Sequence, residues 1–321
     1  MTNKEWFKAA KFGMMVHWGL YSLPAGEWNG VRYNRIAEWI QHSARIPMAQ
    51  YSQLANIFNP ILFSAEDMVK LAKDAGMNYI VVTSKHHDGF AMYKSEYDKY
   101  NIADATPFGR DVIGEIAEAC YKHSLKLGLY YSQDLDWHEP NGGGFIKRGN
   151  HALWTNDWDF TDNSVKDYSQ CFNGKIKAQV KEILTKYGDI CLIWFDTPMT
   201  ISNEQSTELF NLVKSLQPDC LVNSRIGNGL GDYRSWGDNE IPDDYMKDGL
   251  YETPATLNDT WGYKSFDNNW KSADKVLELK EHLNSRGINY LLNVGPDYLG
   301  RIPAPSVDIL RGCGRQTHIC V

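Results

Sequence analysis

The chain has little cysteine, and its cysteines lack the spacing of a metal or disulfide framework. Six cysteines are spread over 321 residues and none forms a CxxC pair. Neither a zinc site nor a dense set of disulfides is therefore indicated. Cys120, Cys191 and Cys220 lie in apolar runs, so we expect them to be buried thiols.

A surplus of basic residues is also missing. The 33 Lys and Arg are outnumbered by 40 Asp and Glu, which gives a formal charge of −7, and the charges are scattered rather than grouped in blocks. No broad basic surface is expected, which argues against nucleic acid or an anionic membrane as a partner. A neutral small molecule fits this composition better as a substrate.

Long apolar runs are absent as well. None approaches the length of a membrane span, and the charged opening MTNKEWFKAAKFG lacks the apolar core of a secretory signal. We therefore expect a soluble protein. It is either cytoplasmic as given, or the mature form of a periplasmic or secreted protein whose signal was removed.

The chain is rich in aromatic residues and in short apolar runs that alternate with helical patterns. With 43% apolar residues, 11 Trp and 18 Tyr, it can form one large core and offer aromatic faces that suit sugars. Short apolar runs predict strands at 12–18, 79–83, 125–132, 191–195, 220–225, 250–257 and 289–294. Helical patterns predict helices at 65–75, 111–124, 164–187, 206–216 and 273–283.

Seven or eight strands that alternate with helices favour a (β/α)8-like barrel. A doubly wound open sheet is the alternative, but no glycine-rich phosphate loop follows the first strand. The segment 138–163, which is rich in Gly, Asn and Trp, is predicted to cross the mouth of the barrel.

Polar residues follow several of the predicted strands at the point where each strand ends. The apolar run in CLIWFDTP stops at Asp196, and His17, the pair His86 and His87, and Arg225 end or follow other strands. The carboxyl ends of parallel strands meet at one face of a barrel, where active sites are built. Asp196 is therefore predicted to be a catalytic carboxylate, with a helix cap as the alternative.

Such a set of carboxylates, neutral donors and aromatic walls is what glycoside hydrolysis requires. The strings FGMMVHWG, AEWI, FNPILFSAEDMVKLAKDAGMNYIVVTSKHHDGF, DVIGEIAEAC, LGLYYSQDLDW, IWFDTP, NSRIG and INYLLNVGP closely resemble the α-L-fucosidases of glycoside hydrolase family 29. The resemblance runs in order from about Trp6 to Pro303. It implies a (β/α)8-like catalytic barrel, exo-acting hydrolysis of terminal α-L-fucose with retention through a covalent intermediate, fucosylated oligosaccharides or glycoconjugates as substrates, and no metal or organic cofactor.

The resemblance also implies roles for individual residues. Asp196 matches the nucleophile, and Glu240 is the first choice and Glu252 the second for the acid/base, because the family does not keep this group in one motif. The residues that match the family's substrate-binding positions are His17, Glu38, Trp39, His86, His87, Tyr131, Trp194 and Arg225.

The end of the chain departs from the family pattern. Family members usually continue past the barrel with a terminal helix and a β-sandwich, whereas this chain ends in LRGCGRQTHICV. We expect residues 1–305 to form the catalytic barrel and 306–321 an atypical or truncated tail without helical character. Apolar surface that a sandwich would cover would favour association of the chain with itself.

Two other functions remain open at this level. One is a metal-dependent hydrolase that uses His17, His86 and His87, although no HxH or HExxH spacing occurs. The other is a noncatalytic fucose-binding barrel. The sequence does not decide the fucosyl linkage, nor does it separate hydrolysis from transglycosylation.

Overall fold

In the computed structural model, which describes residues 2–146 and 153–319, eight parallel strands form one curved sheet. The strands are β1 (Phe12–Val16), β2 (Tyr79–Lys85), β3 (Lys126–Tyr131), β4 (Ile190–Phe195), β5 (Leu221–Val222), β6 (Arg234–Ser235), β7 (Tyr251–Thr256) and β8 (Ile288–Val294). Their order is β5-β4-β3-β2-β1-β8-β7-β6. The two edge strands meet just past β5, where Asn223 and Tyr233 form a parallel bridge. The predicted (β/α)8-like barrel is confirmed.

Helices surround the sheet, most of them on its outer face. They are α1 (Asn3–Ala10), α2 (Ile40–Ser43), α3 (Met48–Tyr51), α4 (Ala65–Asp74), α5 (Val112–His123), α6 (Tyr168–Cys171), α7 (Lys177–Lys186), α8 (Asn203–Leu216), α9 (Ala273–Ser285) and α10 (Ala304–Ile319). Single 3-10 segments lie at Leu20–Ser22, Ala37–Trp39, Ser52–Ile57, Asn163–Val165 and Ser224–Ile226, and Glu27–Trp28 pairs with Val31–Arg32 as a short hairpin. Ser64 caps the start of α4, since its hydroxyl accepts a hydrogen bond from Asp67 N at 3.2 Å.

Two apolar layers hold the barrel together. Alternate strand residues such as Met15, Tyr130 and Trp194 point into the barrel, and their strand neighbours pack outward against the helices. Helix α1 closes the amino-terminal end of the barrel, where Phe7 packs on Tyr79 and on Tyr233. The opposite end is left open for a site.

The structure corrects three sequence-based expectations about elements. Between the strands predicted at 220–225 and 250–257, where no strand was expected, lies β6, which is only two residues long. The helix expected at 164–187 is broken into a 3-10 turn, α6, a π-helical turn at Phe172–Ile176 and α7. Val165, near the start of this segment, is 73% exposed.

The third correction concerns the end of the chain. Residues expected to form an atypical tail belong to α10, which begins at Ala304 and buries Leu310 and Cys313. A Cβ atom on Gly314 would overlap the carbonyl oxygen of Asp74 in α4. The glycines of LRGCGRQ therefore permit close helix packing rather than ending the helix.

The buried-thiol prediction holds for Cys120, Cys191 and Cys220, each 1–2% exposed, whereas Cys320 lies outside the described residues. Residues 147–152 of the segment predicted to cross the barrel mouth also lie outside them. No helix within 2–146 and 153–319 has both the length and the apolar character needed to cross a bilayer.

Candidate active site

A cavity of about 680 Å³ opens at the carboxyl ends of the barrel strands. Residues that end or follow β1, β2, β4, β5, β6 and β7 form its walls, as expected for a parallel barrel. The lining residues are Met15, His17, Arg35, Ile36, Glu38, Trp39, His86, His87, Trp154, Trp194, Asp196, Thr197, Arg225, Ser235, Trp236, Gly237, Asp238 and Trp261.

Asp196, directly after β4, has both carboxylate oxygens held by side chains of the site. Oδ1 accepts a hydrogen bond from Arg225 Nη1 at 2.9 Å, and Oδ2 accepts one from the Tyr130 hydroxyl at 3.0 Å. The next helix, α8, is capped by Ser202 instead. The helix-cap alternative for Asp196 is therefore wrong.

Arg225 is a fixed cation beside Asp196. Its guanidinium carbon lies 4.6 Å from the centroid of the Trp194 ring, and Nη2 donates to Asp238 Oδ1 at 2.6 Å and to the Trp236 carbonyl at 2.9 Å. Burial alone would lower the pKa of Arg225, but the carboxylates of Asp196 and Asp238 raise it above the ordinary value. Arg225 therefore stays charged and balances the carboxylates on either side.

His17 is held as a neutral ring. Its Nδ1 lies 2.7 Å from Asn293 Oδ1, and Asn293 Nδ2 donates to the Trp261 carbonyl at 2.7 Å. The Asn293 oxygen is therefore the acceptor and His17 Nδ1 carries the proton. Burial lowers the pKa of His17 to about 4. Its Nε2 atom is left as an acceptor for a sugar hydroxyl.

His87 has the same tautomer. Its Nδ1 lies 2.7 Å from Ser132 Oγ, and this hydroxyl donates its one proton to the Leu135 carbonyl at 2.8 Å. His87 Nδ1 must therefore be the donor, and its Nε2, 3.9 Å from Asp196 Oδ2, is an acceptor. Burial lowers the pKa of His87, and that of the adjacent His86, well below the ordinary value.

Tyr130, not Tyr131, is the tyrosine of the site. Tyr131 packs on the outer layer, where its hydroxyl donates to Gln179 Oε1 at 2.9 Å. Tyr130 is inside the barrel beside Trp194, and its ring stacks on His86 with centroids 5.3 Å apart. The prediction for Tyr131 was wrong by one residue, which in a strand moves a side chain to the opposite face.

Glu38 and Trp39 reach the cavity from the 3-10 turn Ala37–Trp39. Glu38 Oε2 accepts a hydrogen bond from Gly262 N at 2.8 Å, and burial raises the pKa of Glu38 to about 7. The Trp39 ring lies edge-on to His87 with centroids 5.2 Å apart. The structure therefore brings both residues to the predicted site.

Glu252, the second choice for the acid/base, does not line the cavity. It lies near the start of β7, fully buried inside the barrel, where Oε1 accepts from Trp194 Nε1 at 2.9 Å and Oε2 accepts from the Tyr79 hydroxyl at 2.7 Å. A Cβ atom at Gly13 would overlap the Tyr79 ring, so the glycine makes room for this arrangement. Glu252 therefore holds the Trp194 indole from inside the barrel. Because it does not reach the cavity, the predicted acid/base role of Glu252 is not supported.

Glu240, the first choice, does not line the cavity either. It is exposed, and its Oε2 accepts from Gly237 N at 2.9 Å. Asp238, which the sequence analysis did not single out, does line the cavity and contacts Arg225. Because both acids lie on one loop, no sequence pattern separates them. The loop is anchored by Asn239, whose Oδ1 accepts from Thr256 N at 2.9 Å.

Several cavity residues come from loops that the sequence marked only by composition. Trp154 belongs to the segment predicted to cross the barrel mouth, and Trp261 to the polar and aromatic loop after β7. Arg35 and Trp236 had no signal beyond proximity to predicted site residues. Loop residues can be placed only when the fold of the loop is known.

The three site histidines are not arranged as metal ligands. The Nδ1 atoms of His17 and His87 are engaged by Asn293 and Ser132. Across residues 2–146 and 153–319, no group of three or more His, Cys, Asp or Glu side chains is placed to hold a metal ion. This geometry gives the metal-dependent alternative no support.

A carboxylate paired with arginine at a strand end, among neutral imidazoles and indoles in an open barrel, defines a carbohydrate-active barrel enzyme. The family model described as "Alpha-L-fucosidase" matches residues 1–319. The chain belongs to this family, as the sequence motifs predicted.

Known proteins agree with this assignment. The structure of α-L-fucosidase AlfC from Lactobacillus casei with α-L-fucose product is 53% identical with a TM-score of 0.93, covering 99% of this chain and 98% of that one. An AlfC mutant in complex with Fuca(1,6)GlcNAc has the same identity and TM-score, covering 98% of each chain. The tissue α-L-fucosidase of Mus musculus is 30% identical over 338 residues, and a putative α-L-fucosidase of Caenorhabditis elegans is 28% identical over 338. Each match covers 98% of this chain, which spans only 70% and 65% of these two relatives.

Proposed function

We propose that the protein is an exo-acting, retaining α-L-fucosidase that removes terminal α-L-fucose from oligosaccharides or glycoconjugates. The observation that carries this proposal is the carboxylate of Asp196, which lies in the cavity wall between Arg225 and Tyr130. Membership of the family and the relatives named as α-L-fucosidases support it.

In the first step, an Asp196 oxygen attacks the anomeric carbon from the face opposite the leaving oxygen. A fucosyl ester forms as the glycosidic C–O bond breaks, and a general acid gives its proton to the leaving oxygen. In the second step the general acid, now ionised, acts as a base and takes a proton from water. The water oxygen attacks the anomeric carbon, and the ester bond to Asp196 breaks. Retention follows from two inversions.

The neutral imidazoles suit the binding of ring hydroxyls. His17 and His87 each present Nε2 as an acceptor, and Glu38 adds a buried carboxyl. The indoles of Trp39 and Trp194 add apolar edges to the cavity wall, which suit the methyl group and the apolar side of the sugar ring. Neutral groups do not compete with Asp196 for the positive charge of an oxocarbenium-like transition state.

Asp238 is the acid/base that we propose ahead of Glu240, the first choice from the sequence, which becomes the second candidate, and Glu252 is no longer proposed. Of the cavity carboxyls, Glu38 is 1% exposed, whereas the Asp238 side chain is 48% exposed. The leaving group of an exo-acting enzyme lies toward solvent, where Asp238 is placed. Glu240 stays a candidate because Gly237, to which it bonds, itself lines the cavity.

Fucose linked α1,6 to GlcNAc is the first substrate that we propose. The related AlfC has been seen with Fuca(1,6)GlcNAc, and its identity to this chain is 53%. The prediction is tested by comparing kcat/KM for α1,2-, α1,3-, α1,4- and α1,6-linked fucosides. A ranking in which the α1,6 linkage is not preferred would reject the substrate without rejecting the activity.

The activity itself is tested by NMR of the reaction with an aryl α-L-fucoside, with and without a chelator. We expect phenolate release, α-L-fucose as the first anomer and no effect of the chelator. β-L-Fucose as the first product would contradict retention, and loss of activity with chelator would favour the metal-dependent alternative. Binding of fucose without any turnover would identify a noncatalytic barrel.

A further inference from the structure

Three consecutive residues after β3 each hold a different part of the cavity wall. Ser132 fixes the tautomer of His87 through the hydrogen bonds described above. Asp134 Oδ2 accepts hydrogen bonds from Thr200 N at 2.7 Å and Ile201 N at 2.8 Å, in the loop after Asp196. Gln133, between them, is fully buried and does not line the cavity.

The carboxamide of Gln133 joins the two partners of the ion pair. Its Oε1 accepts a hydrogen bond from the backbone N–H of Asp196 at 2.8 Å, and its Nε2 donates to the carbonyl of Arg225 at 3.0 Å. Its own backbone carbonyl accepts from the Tyr168 hydroxyl at 2.8 Å, which anchors Gln133 in turn. One side chain thus fixes the backbone at both ends of the Asp196–Arg225 contact.

Side-chain amides take over from backbone pairing at the end of β4. The last residue pair is Ile193 with Val222, and beyond it the carboxamide of Asn223 replaces the ladder by bonding both the N–H and the carbonyl of Phe195 at 2.9 Å. Asp196 comes next. Its N–H is bonded by the side chain of Gln133, which follows β3, the other neighbour of β4.

The backbone immediately after Asp196 is strained. Thr197 has a φ of +48°, in the left-handed region that costs a β-branched residue about 1–3 kcal/mol. Such a conformation persists only where surrounding contacts fix it. The hydrogen bonds of Gln133 and Asp134 lie on either side of this residue.

We propose that Gln133 is a positioning residue for Asp196. It acts by holding the Asp196 backbone and the Arg225 backbone at a fixed separation, without contact to substrate. The inference rests on the proposed role of Asp196 as nucleophile. Because misplacement of a reacting group by about 1 Å can cost about 10²-fold in rate, loss of this bridge should lower kcat far more than it changes KM.

Gln133→Met tests the bridge, since methionine keeps an unbranched side chain of similar length without the amide. The matched control is Gln179→Met, which removes another buried carboxamide, the one that accepts from Tyr131 on the outer layer. We expect kcat on an aryl α-L-fucoside to fall about 10- to 100-fold for Gln133→Met with KM within about twofold. Gln179→Met should keep kcat within about twofold at a comparable loss of melting temperature.

Gln133→Glu keeps the shape of the side chain and carries the test if the methionine variant does not fold. A carboxylate still accepts from Asp196 N but cannot donate to the Arg225 carbonyl, and its charge disfavours ionisation of Asp196. The kcat of Gln133→Glu at its pH optimum should therefore fall about 10-fold or more, with KM within about twofold. A role in stability alone would lower the melting temperature and leave kcat at the optimum unchanged.

Three results would overturn the inference. An unchanged kcat in Gln133→Glu, or equal loss of kcat in the two methionine variants, would reject it while the proposed function stands. Unimpaired hydrolysis by Asp196→Ala would reject the proposed nucleophile and this inference together.

Discussion

At the scale of single residues, Asp238 and Glu240 provide a direct comparison, because they are two positions apart and only Asp238 lines the cavity. Asp238→Asn keeps the oxygen that accepts from Arg225 but cannot supply a proton. We expect kcat/KM for a fucosyl disaccharide to fall by about 10²-fold or more, as is usual for loss of a general acid. An aryl fucoside with a strongly activated leaving group should be affected much less, because its phenolate leaves without a proton.

Glu240→Gln is the control for this comparison. Its activity on both substrates should stay close to that of the wild type, since the oxygen of the introduced amide can still accept from the Gly237 N–H. A selective loss of activity on the disaccharide in Glu240→Gln, rather than in Asp238→Asn, would return the acid/base role to Glu240.

The site also shows how far single residues can be predicted. His17, His86, His87, Asp196 and Arg225 were found because each ends or follows an apolar strand. Tyr130 was missed because both faces of β3 are buried. A strand that is apolar on both sides carries no sign of which residues point inward.

At the scale of elements, Glu252 links β7 to β2 and β4 through Tyr79 and Trp194. Burial raises the pKa of Glu252 from 4.5 to about 7. Between these values the unfolded chain loses the proton while the folded chain keeps it, so this residue makes the protein less stable as pH rises from 4.5 to 7.

Glu252→Gln removes this titration. The difference in unfolding free energy, variant minus wild type, should grow as the pH rises. Between pH 4.5 and 8 it should increase by up to about 3 kcal/mol, at 1.36 kcal/mol per pKa unit. Urea unfolding of both proteins at several pH values measures the difference. A difference that is constant with pH would contradict the buried, protonated state.

Helix α10 gives a second prediction at this scale. Gly314→Ala places a methyl group against the carbonyl of Asp74, so we expect a loss of about 1–3 kcal/mol in unfolding free energy. Gly114→Ala in α5 is the matched control, because the atoms nearest to its Cβ belong to the side chain of Asp111, at 3.3 Å or more, and alanine favours the helix by up to about 1 kcal/mol. Equal effects of the two changes on thermal unfolding would mean that α10 does not pack on α4.

At the scale of the whole molecule, the alternation of strands and helices was enough to predict the barrel. The sequence-based prediction is least accurate where this alternation fails. No α-helix occurs between β5 and β7, a stretch that the structure describes in full, and β5 and β6 have two residues each. Strands this short are held by contacts from the rest of the barrel, so their sequences carry little signal.

The association of chains remains a prediction at this scale. Ile57, Ile61 and Leu62 are exposed apolar side chains within six positions of one another, each more than half exposed. We expect the protein to form a homo-oligomer that buries such surface. Light scattering measures the mass directly, and a monomer across the working concentration range would contradict this expectation.

The central claim is that Asp196 is the nucleophile of a retaining α-L-fucosidase, and one measurement tests it most directly. Asp196→Ala is incubated with an aryl α-L-fucoside and azide, and the product is identified by NMR. The variant should be inactive alone, and azide, which fits the space left by the carboxylate, should restore turnover and yield β-L-fucosyl azide. Hydrolysis by Asp196→Ala at the wild-type rate without azide would show that Asp196 is not the nucleophile.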